Sequence, residues 1–458
     1  MIRRLLKSSV WIAVVLLLAP EASWAQQSDP AAVAAWDQAV RKALQGQPPP
    51  TAPPQAQPPS GPQQPAGQQS PVEPRGNLND QQQPAPRAGD QTLDPKYVGF
   101  ISIPNTPLIL KFNAKPRVDF TTDNRNTGDN TRFVTAKIPV SDDPDHGGGT
   151  QFNINSKGSQ LSLDVRAPGV EGSPRFYYQN DFYGAGPGEF PFRVRQLYGQ
   201  FYNVIVGMTF SVFEDPDVWP DTVDYEGPNA ATFARRPLAR YMLALDKEWQ
   251  MNFGIEQPGS EVDTSIDPAA KSVNHAPDLG VNIRWEGENV GHMQFAVILR
   301  DIGVKGPITG SQSAFGWGLN LSAAFKAVNK DSLQAQLTYG EGIFRYCNDD
   351  FVNNDAALDS SGDLRPIPYF GAMVGFTHHW SEEWRSTATY GYVHLRNQAS
   401  QDPTAYHLTH YASANLVWQV RKRLSLGLEG LYGSKENNEG RTGDAWRIQF
   451  GLLYSLLD

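Results

Sequence analysis

One cysteine in 458 residues, Cys347, excludes an internal disulfide framework in an exported chain. It lies in a polar loop and reads as incidental, with a cross-link between chains as the alternative use of a free thiol. Beyond the first 25 residues no run approaches the ~18 apolar residues of a membrane helix, so insertion into a bilayer has to be made by strands. An excess of positive charge is also missing: 39 Lys and Arg face 48 Asp and Glu, a net charge of -9, and a nucleic-acid partner is not expected. No catalytic or cofactor-binding motif stands out, and neither a cofactor nor a metal is expected. The nearest approach to a metal cluster, Asp142, Asp143, Asp145 and His146, adjoins Pro144 and three glycines and reads as a solvated outer loop. The mean hydropathy of -0.46 does not exclude a membrane protein, because a barrel carries its lipid face on every second residue only.

The chain divides into four parts. Residues 1–25 form a signal peptide, with Arg3, Arg4 and Lys7, an apolar run from Val10 to Ala19 and a small-x-small site at Ser23-Trp24-Ala25. Residues 26–45 contain a short amphipathic helix in which Val33, Trp36, Val40 and Ala43 keep a/d spacing for two heptads. Residues 46–97 form a Pro/Gln-rich linker, and thirteen of the 36 prolines lie between Pro48 and Pro86, a composition that cannot build a core. Residues 98–458 are the body.

From Leu108 the body is periodic. Leu108, Leu110, Phe112, Ala114, Val118 and Phe120 alternate with Lys111, Asn113, Lys115, Arg117 and Asp119, and a one-residue slip would put the charges into lipid. Strands are expected near 108–120, 150–167 with an irregularity at Lys157-Gly158, 175–183, 191–200, 204–210, 239–247, 250–256, 278–286 and 292–301. Further strands are expected near 314–326, 332–340, 368–380, 384–395, 406–419, 424–433 and 445–457. That makes sixteen, joined alternately by turns of a few residues and by long polar loops, with both termini on the short-turn side. An all-β, sixteen-stranded antiparallel transmembrane barrel in an outer membrane meets those conditions. Trp285, Trp317, Trp380, Trp384, Trp418, Trp446, Tyr390, Tyr406 and Tyr454 are placed outward as girdles against outer-membrane lipid and lipopolysaccharide. His410 fits poorly among outward Leu408, Ala412, Leu416 and Trp418.

At Val204–Pro228 the alternating strand stops and gives way to Glu214, Asp215, Asp217, Asp221, Asp224 and Glu226, spaced by Pro216, Pro220, Gly227 and Pro228. So many carboxylates repel unless something basic faces them. The inward registers supply it as a ladder of Lys111, Lys115, Arg117, Arg166, Arg193 and Arg195, to which Arg235, Arg236, Arg240, Arg284, Arg300 and Arg447 add. A loop folded inward against that wall makes a charged constriction that prefers small anions. An unselective pore, in which the basic groups only neutralise the loop, is the alternative. A barrel enzyme using His378, His379, His394, His407 or His410 with Ser386 or Ser413, and a purely structural barrel, are further alternatives.

Three stretches carry a resemblance: GTQFNINSKGSQLSLDVRAP (149–168), FRVRQLYGQFYNVIVGMTFSVFEDPDVWPDTVDYEGPN (192–229) and GFTHHWSEEWRSTATYGYV (375–393). Together with the body from about residue 98, they resemble the DcaP-like trimeric outer-membrane porins. The resemblance implies a homotrimer whose third loop folds into the lumen and which takes up small anionic solutes such as dicarboxylates. Similar members often carry an N-terminal coiled coil, where this chain has two heptads and a spacer.

Overall fold

The computed structural model describes residues 86–87, 99–185, 189–327, 330–349 and 354–457; the expected signal peptide, the expected short helix and nearly all of the expected linker lie outside them. No described helix is long and apolar enough to cross a membrane. The body is a β-barrel of antiparallel strands that pair in chain order.

The first strand is split by Pro116, which has no N–H to give a ladder, into Ile109–Lys115 and Arg117–Asp123. The second is split where an irregularity was expected, into Gln151–Asn155 and Gln160–Arg166. Arg175–Asp181, Arg193–Phe201, Val204–Phe210, Arg235–Ala244, Trp249–Glu256 and Asp278–Gly287 follow, each paired to its predecessor. Gly291–Gly306, Gly310–Lys326, Ser332–Glu341, Pro368–His379, Trp384–Leu395, Tyr406–Arg421 and Leu424–Asn437 continue the series. Thr442–Tyr454 pairs both with Leu424–Asn437 and with the first strand, Phe450 opposite Phe120 and Leu452 opposite Val118.

Period-two alternation produces the two faces. In the last strand Trp446, Ile448, Phe450 and Tyr454 are exposed, while Ala445, Arg447, Gln449 and Leu453 are buried. Trp384 and Trp418, on paired strands, stack outward with centroids 5.3 Å apart and planes 2° from parallel. His410 does share that outward face. Its Nδ1 lies 2.8 Å from the Tyr390 hydroxyl and its ring packs on Tyr392, so the register stands and the imidazole is satisfied.

Four expectations need correction. Tyr406 does not face outward: it is 0% exposed, and a register shift between it and Leu408 reverses the alternation and points its hydroxyl at Asp349, 2.9 Å away. Cys347 is buried, its Sγ 3.2 Å from the Asn229 carbonyl, so it is not available for cross-linking. The strands near 292–301 and 314–326 are longer than expected, Gly291–Gly306 and Gly310–Lys326, and share a tight hairpin. The long loops hold short strands of their own, Val262–Asp263, Ala356–Leu358 and Leu364–Pro366, which form a separate sheet.

The barrel also has an apolar core on its inner side, which alternation alone does not reveal. Val134 and Ala136 from one loop, Phe213, Val218, Trp219, Ala230 and Ala231 from the acidic loop, and Ile343, Phe344, Tyr346 and Cys347 from a third pack into one cluster. Inward Ala296, Ile298, Met373 and Val393 complete it. Trp219 is 0% exposed and meets Phe233 edge-on at 5.6 Å. Two strand glycines make room: a Cβ on Gly375 would lie 2.6 Å from Pro220, and one on Gly391 would lie 2.2 Å from Asn229 Oδ1.

Because Trp219 anchors the loop and not the barrel ladder, Trp219→Ala should cost ~3–5 kcal/mol of loop docking while leaving the barrel intact. Limited proteolysis in native membranes is expected to cut the variant within 211–234 and to spare the parent. Equal resistance of both would show that Trp219 does not anchor the loop.

Candidate pore constriction

The acidic loop begins where the strand Val204–Phe210 ends, and it is buried nearly throughout. A buried backbone must find donors for its carbonyls. Inward carboxamides provide them from strand after strand: Asn282 to Val212 at 2.7 Å, Asn320 to Phe213 at 2.9 Å, Gln294 to Glu214 at 3.1 Å. Asn415 donates to Asp221 at 2.7 Å, Gln449 to Val223 at 3.3 Å and Gln336 to Ala230 at 3.1 Å. The loop is therefore tied to several sides of the barrel interior.

Its carboxylates are partnered individually. Asp215 caps the short turn Pro216–Val218 through the Asp217 N–H and also takes Arg284 Nη1 at 3.1 Å and Ser322 Oγ at 2.6 Å, with His292 Nε2 at 2.9 Å. Burial opposes its ionisation, but the His292 and Arg284 charges outweigh it and hold the carboxyl well below the usual range. Asp217 is held by Arg284 and by Arg87, Asp221 by Arg385 and Glu226 by Arg132 at 2.9 Å. Glu214 takes the Ala234 N–H at 2.8 Å, and burial pushes its carboxyl upward against the pull of Arg235.

The basic ladder is paired within its own wall. Arg117 meets Asp119 at 2.7 Å; Arg166 and Arg175 share Asp164 at 2.9 and 2.8 Å; Arg193 and Arg195 share Asp181 at 2.6 and 2.9 Å. Arg447 similarly holds Asp123 at 2.6 Å, and Arg300 holds Asp278 at 3.2 Å and Asp355 at 3.0 Å. Arg235 stacks between Phe210 and Phe233, Arg236 lies over Tyr346, and Arg240 donates to the Phe210 carbonyl. Lys111 sits over the Phe100 ring near the strand end, and Lys115 ends the same strand, partly exposed. The structure thus brings Arg117, Arg193 and Arg195 to the acidic loop and leaves Lys111, Lys115 and Arg166 in another part of the wall.

Tyr225 joins loop to wall. Its hydroxyl donates to Asp181 at 2.7 Å and accepts from Arg195, while its ring lies between the guanidiniums of Arg117 and Arg195 at 5.3 and 5.5 Å. Tyr183 stacks on it at 4.9 Å and in turn meets Arg132 and Arg193. Beside this stack is a recess of about 470 Å³ bordered by Asp129, Arg132, Lys157 and Tyr183. Sequence reasoning missed Asp164, Asp181, Tyr183 and Tyr225; the signal available for Asp164 and Asp181 was their inward phase beside arginines on neighbouring strands, whereas Tyr183 and Tyr225 lie outside the strands and carry no such signal.

Among the described residues, Asp215, Asp217 and His292 bring their ligand atoms within 4.8 Å of one another. The Arg284 and Arg87 guanidiniums already engage these carboxylates, so the geometry is that of an ion-pair network. Around the outer loop, His146 Nδ1 lies 3.0 Å from the Pro139 carbonyl and Asp142 pairs with Arg441 at 3.0 Å, so these groups do not converge. Two of the histidines weighed for catalysis have polar side-chain partners: His378 meets Asp331 at 2.8 Å, and His407 meets Asn397 at 2.7 Å.

Asp224 adds a pH dependence. Burial, reinforced by Glu226, pushes its carboxyl from the ordinary 3.8 to about 7, against the pull of Arg447. With a folded-state value above the unfolded one, its contribution to loop docking is full below 3.8, falls as pH rises and is gone above about 7. Hydrogen-exchange protection of residues 211–234, corrected for the intrinsic pH dependence of amide exchange, is expected to fall between about pH 5 and about pH 8, and Asp224→Asn should reduce that fall. An unchanged pH profile in the variant would remove Asp224 as its source.

Comparison with known proteins agrees with this architecture. The family described as DcaP outer membrane protein matches residues 100–455. No curated protein matches the chain. Among solved structures, the outer membrane channel DcaP of Acinetobacter baumannii superposes with a TM-score of 0.68 at 18% identity, covering 78% of this chain and 99% of that one. An anion-selective porin from Comamonas acidovorans gives 0.49 at 11% identity, over 76% of this chain and 100% of that one. Pseudomonas putida OprB gives 0.49 at 9% identity, over 76% and 94%. An outer-membrane β-barrel of porin type, the chain belongs to the DcaP outer membrane protein family.

Proposed function

We propose that the chain is a passive, anion-preferring channel for small solutes such as dicarboxylates, formed by a closed ring of sixteen strands and assembled as a homotrimer in the outer membrane. Sequential pairing and the return of the last strand to the first support the ring. The family match and the sequence resemblance support the trimer and the solute class.

The anion preference rests on one observation: two guanidiniums share a single carboxylate at both Asp164 and Asp181, and Arg193, with a side chain 28% exposed, lies in the second cluster. Each cluster carries more positive than negative charge. A unit charge at 4 Å is worth about 4 kcal/mol at an effective dielectric of 20 and about 1 in water, enough to offset partial dehydration of a carboxylate and still release it. The pairing of the ladder within its own wall favours the alternative, an unselective pore.

Reversal potential across a planar bilayer under a salt gradient separates the two. Anion preference is expected, with current blocking by succinate, and both should weaken in Arg193→Glu and Arg195→Glu. Because Arg195 is fully buried and holds Tyr225, its variant is also expected to loosen the loop, whereas Arg193→Glu reads charge more directly. Cation preference without blocking would leave an outer-membrane channel and reject the dicarboxylate reading.

A further inference from the structure

We propose that Arg87 is an ionic latch that docks the Pro86–Arg87 stretch against the short-turn end of the wall and holds the acidic loop in its inward position. Arg87 Nε lies 2.8 Å from Glu286 Oε2, and its Nη2 lies 3.0 Å from Glu286 Oε1 and 3.1 Å from Asp217 Oδ2. One guanidinium therefore bridges the barrel wall and the acidic loop. Glu286 stands on the strand Asp278–Gly287, next to its short turn, and Asp217 lies in the loop's Pro216–Val218 turn. A second contact fixes the same stretch: Gln250 Nε2 donates to the Pro86 carbonyl at 3.2 Å. Pro86 borders the small recess formed by Phe210, Ser211, Glu214 and Arg240, where the strand Val204–Phe210 passes into the loop.

The chemistry suits a reversible latch. Arg87 and Asp217 side chains are each 17% exposed and Glu286 is 34% exposed, so the pair is neither dry enough to be permanent nor wet enough to be negligible. The planar fork of arginine engages both carboxylates, which a lysine point charge would not reproduce. Only Arg75, Arg87 and Lys96 are cationic in residues 46–97, so loss of Arg87 has few substitutes. Docked, Arg87 ties the acidic loop to the wall; released, it takes from Asp217 one of the guanidiniums that hold it. Salt should release it, because the Debye length falls from about 10 Å at 0.1 M to about 3 Å at 1 M.

The control of flow rests on the channel reading above, but docking does not, and two measurements keep them apart. Spin labels on the full-length Ala88→Cys/Glu248→Cys protein report docking as a distance distribution by double electron–electron resonance. A narrow distribution is expected at low salt. Arg87→Glu should broaden it, shifting the docked-to-free ratio about fivefold, equivalent to ~1 kcal/mol, and Glu286→Gln should broaden it less, because Asp217 still holds the guanidinium. Conductance is expected to rise in Arg87→Glu and to rise less in Glu286→Gln. A distribution indifferent to Arg87→Glu and to salt would overturn the latch. A distribution that broadens with no change in conductance would overturn its control of flow. Absence of conductance in every variant would reject the channel reading and leave the distance measurement to decide docking.

Discussion

Everything in the interior depends on satisfying the backbone of a loop that has been taken out of water. From Val212 to Ala230 the loop has little regular structure, so only a few of its carbonyls, such as those of Asp215, Pro220 and Pro228, meet N–H groups of the loop itself. Each one left unmet would cost about 1–3 kcal/mol. Asn282, Gln294, Asn320, Gln336, Asn415 and Gln449 meet them from the wall. An inward carboxamide is neutral, long enough to span to a neighbouring backbone, and offers two donors. Much of the loop's backbone is therefore held by neutral groups, while its carboxylates are tied to the wall by arginines.

Those charges are organised by sharing. Where Arg193 and Arg195 converge on Asp181, the carboxylate keeps two like charges close together, and the Tyr225 ring and hydroxyl fill the remaining space. Such an arrangement is preorganised: the shared carboxylate and the Tyr225 side chain hold both guanidiniums in place, and the low dielectric of the packed loop strengthens the ion pairs. The apolar cluster around Trp219 supplies the rigidity. Without it, the ion pairs would be a set of mobile surface pairs of little individual worth.

Strand positions and registers were legible because lipid and lumen impose opposite chemistry on alternate residues, so a slip of one residue is penalised along the whole strand. The expected break at Lys157-Gly158 and the outward phase of Ile448 and Phe450 follow from that rule alone. Tyr406 was misplaced because a register shift changes phase without a residue type that announces it. The pairing of the ladder was not legible either. Arg193 and Asp181 are adjacent only across paired strands that contain a bulge, and alternation does not say which inward charges meet.

By itself, the amino-acid sequence determined the antiparallel ladder, its faces and the place where an acidic loop leaves it, because these follow from local periodicity and from residues that cannot continue a strand. The tertiary structure alone decided that three loops share an apolar core inside the barrel, that Tyr225 links loop to wall, and that Arg87 reaches Glu286 and Asp217. These contacts join residues far apart in the chain, and they are selected by which donors and apolar surfaces the closed space brings within a few ångströms, a quantity no local pattern encodes.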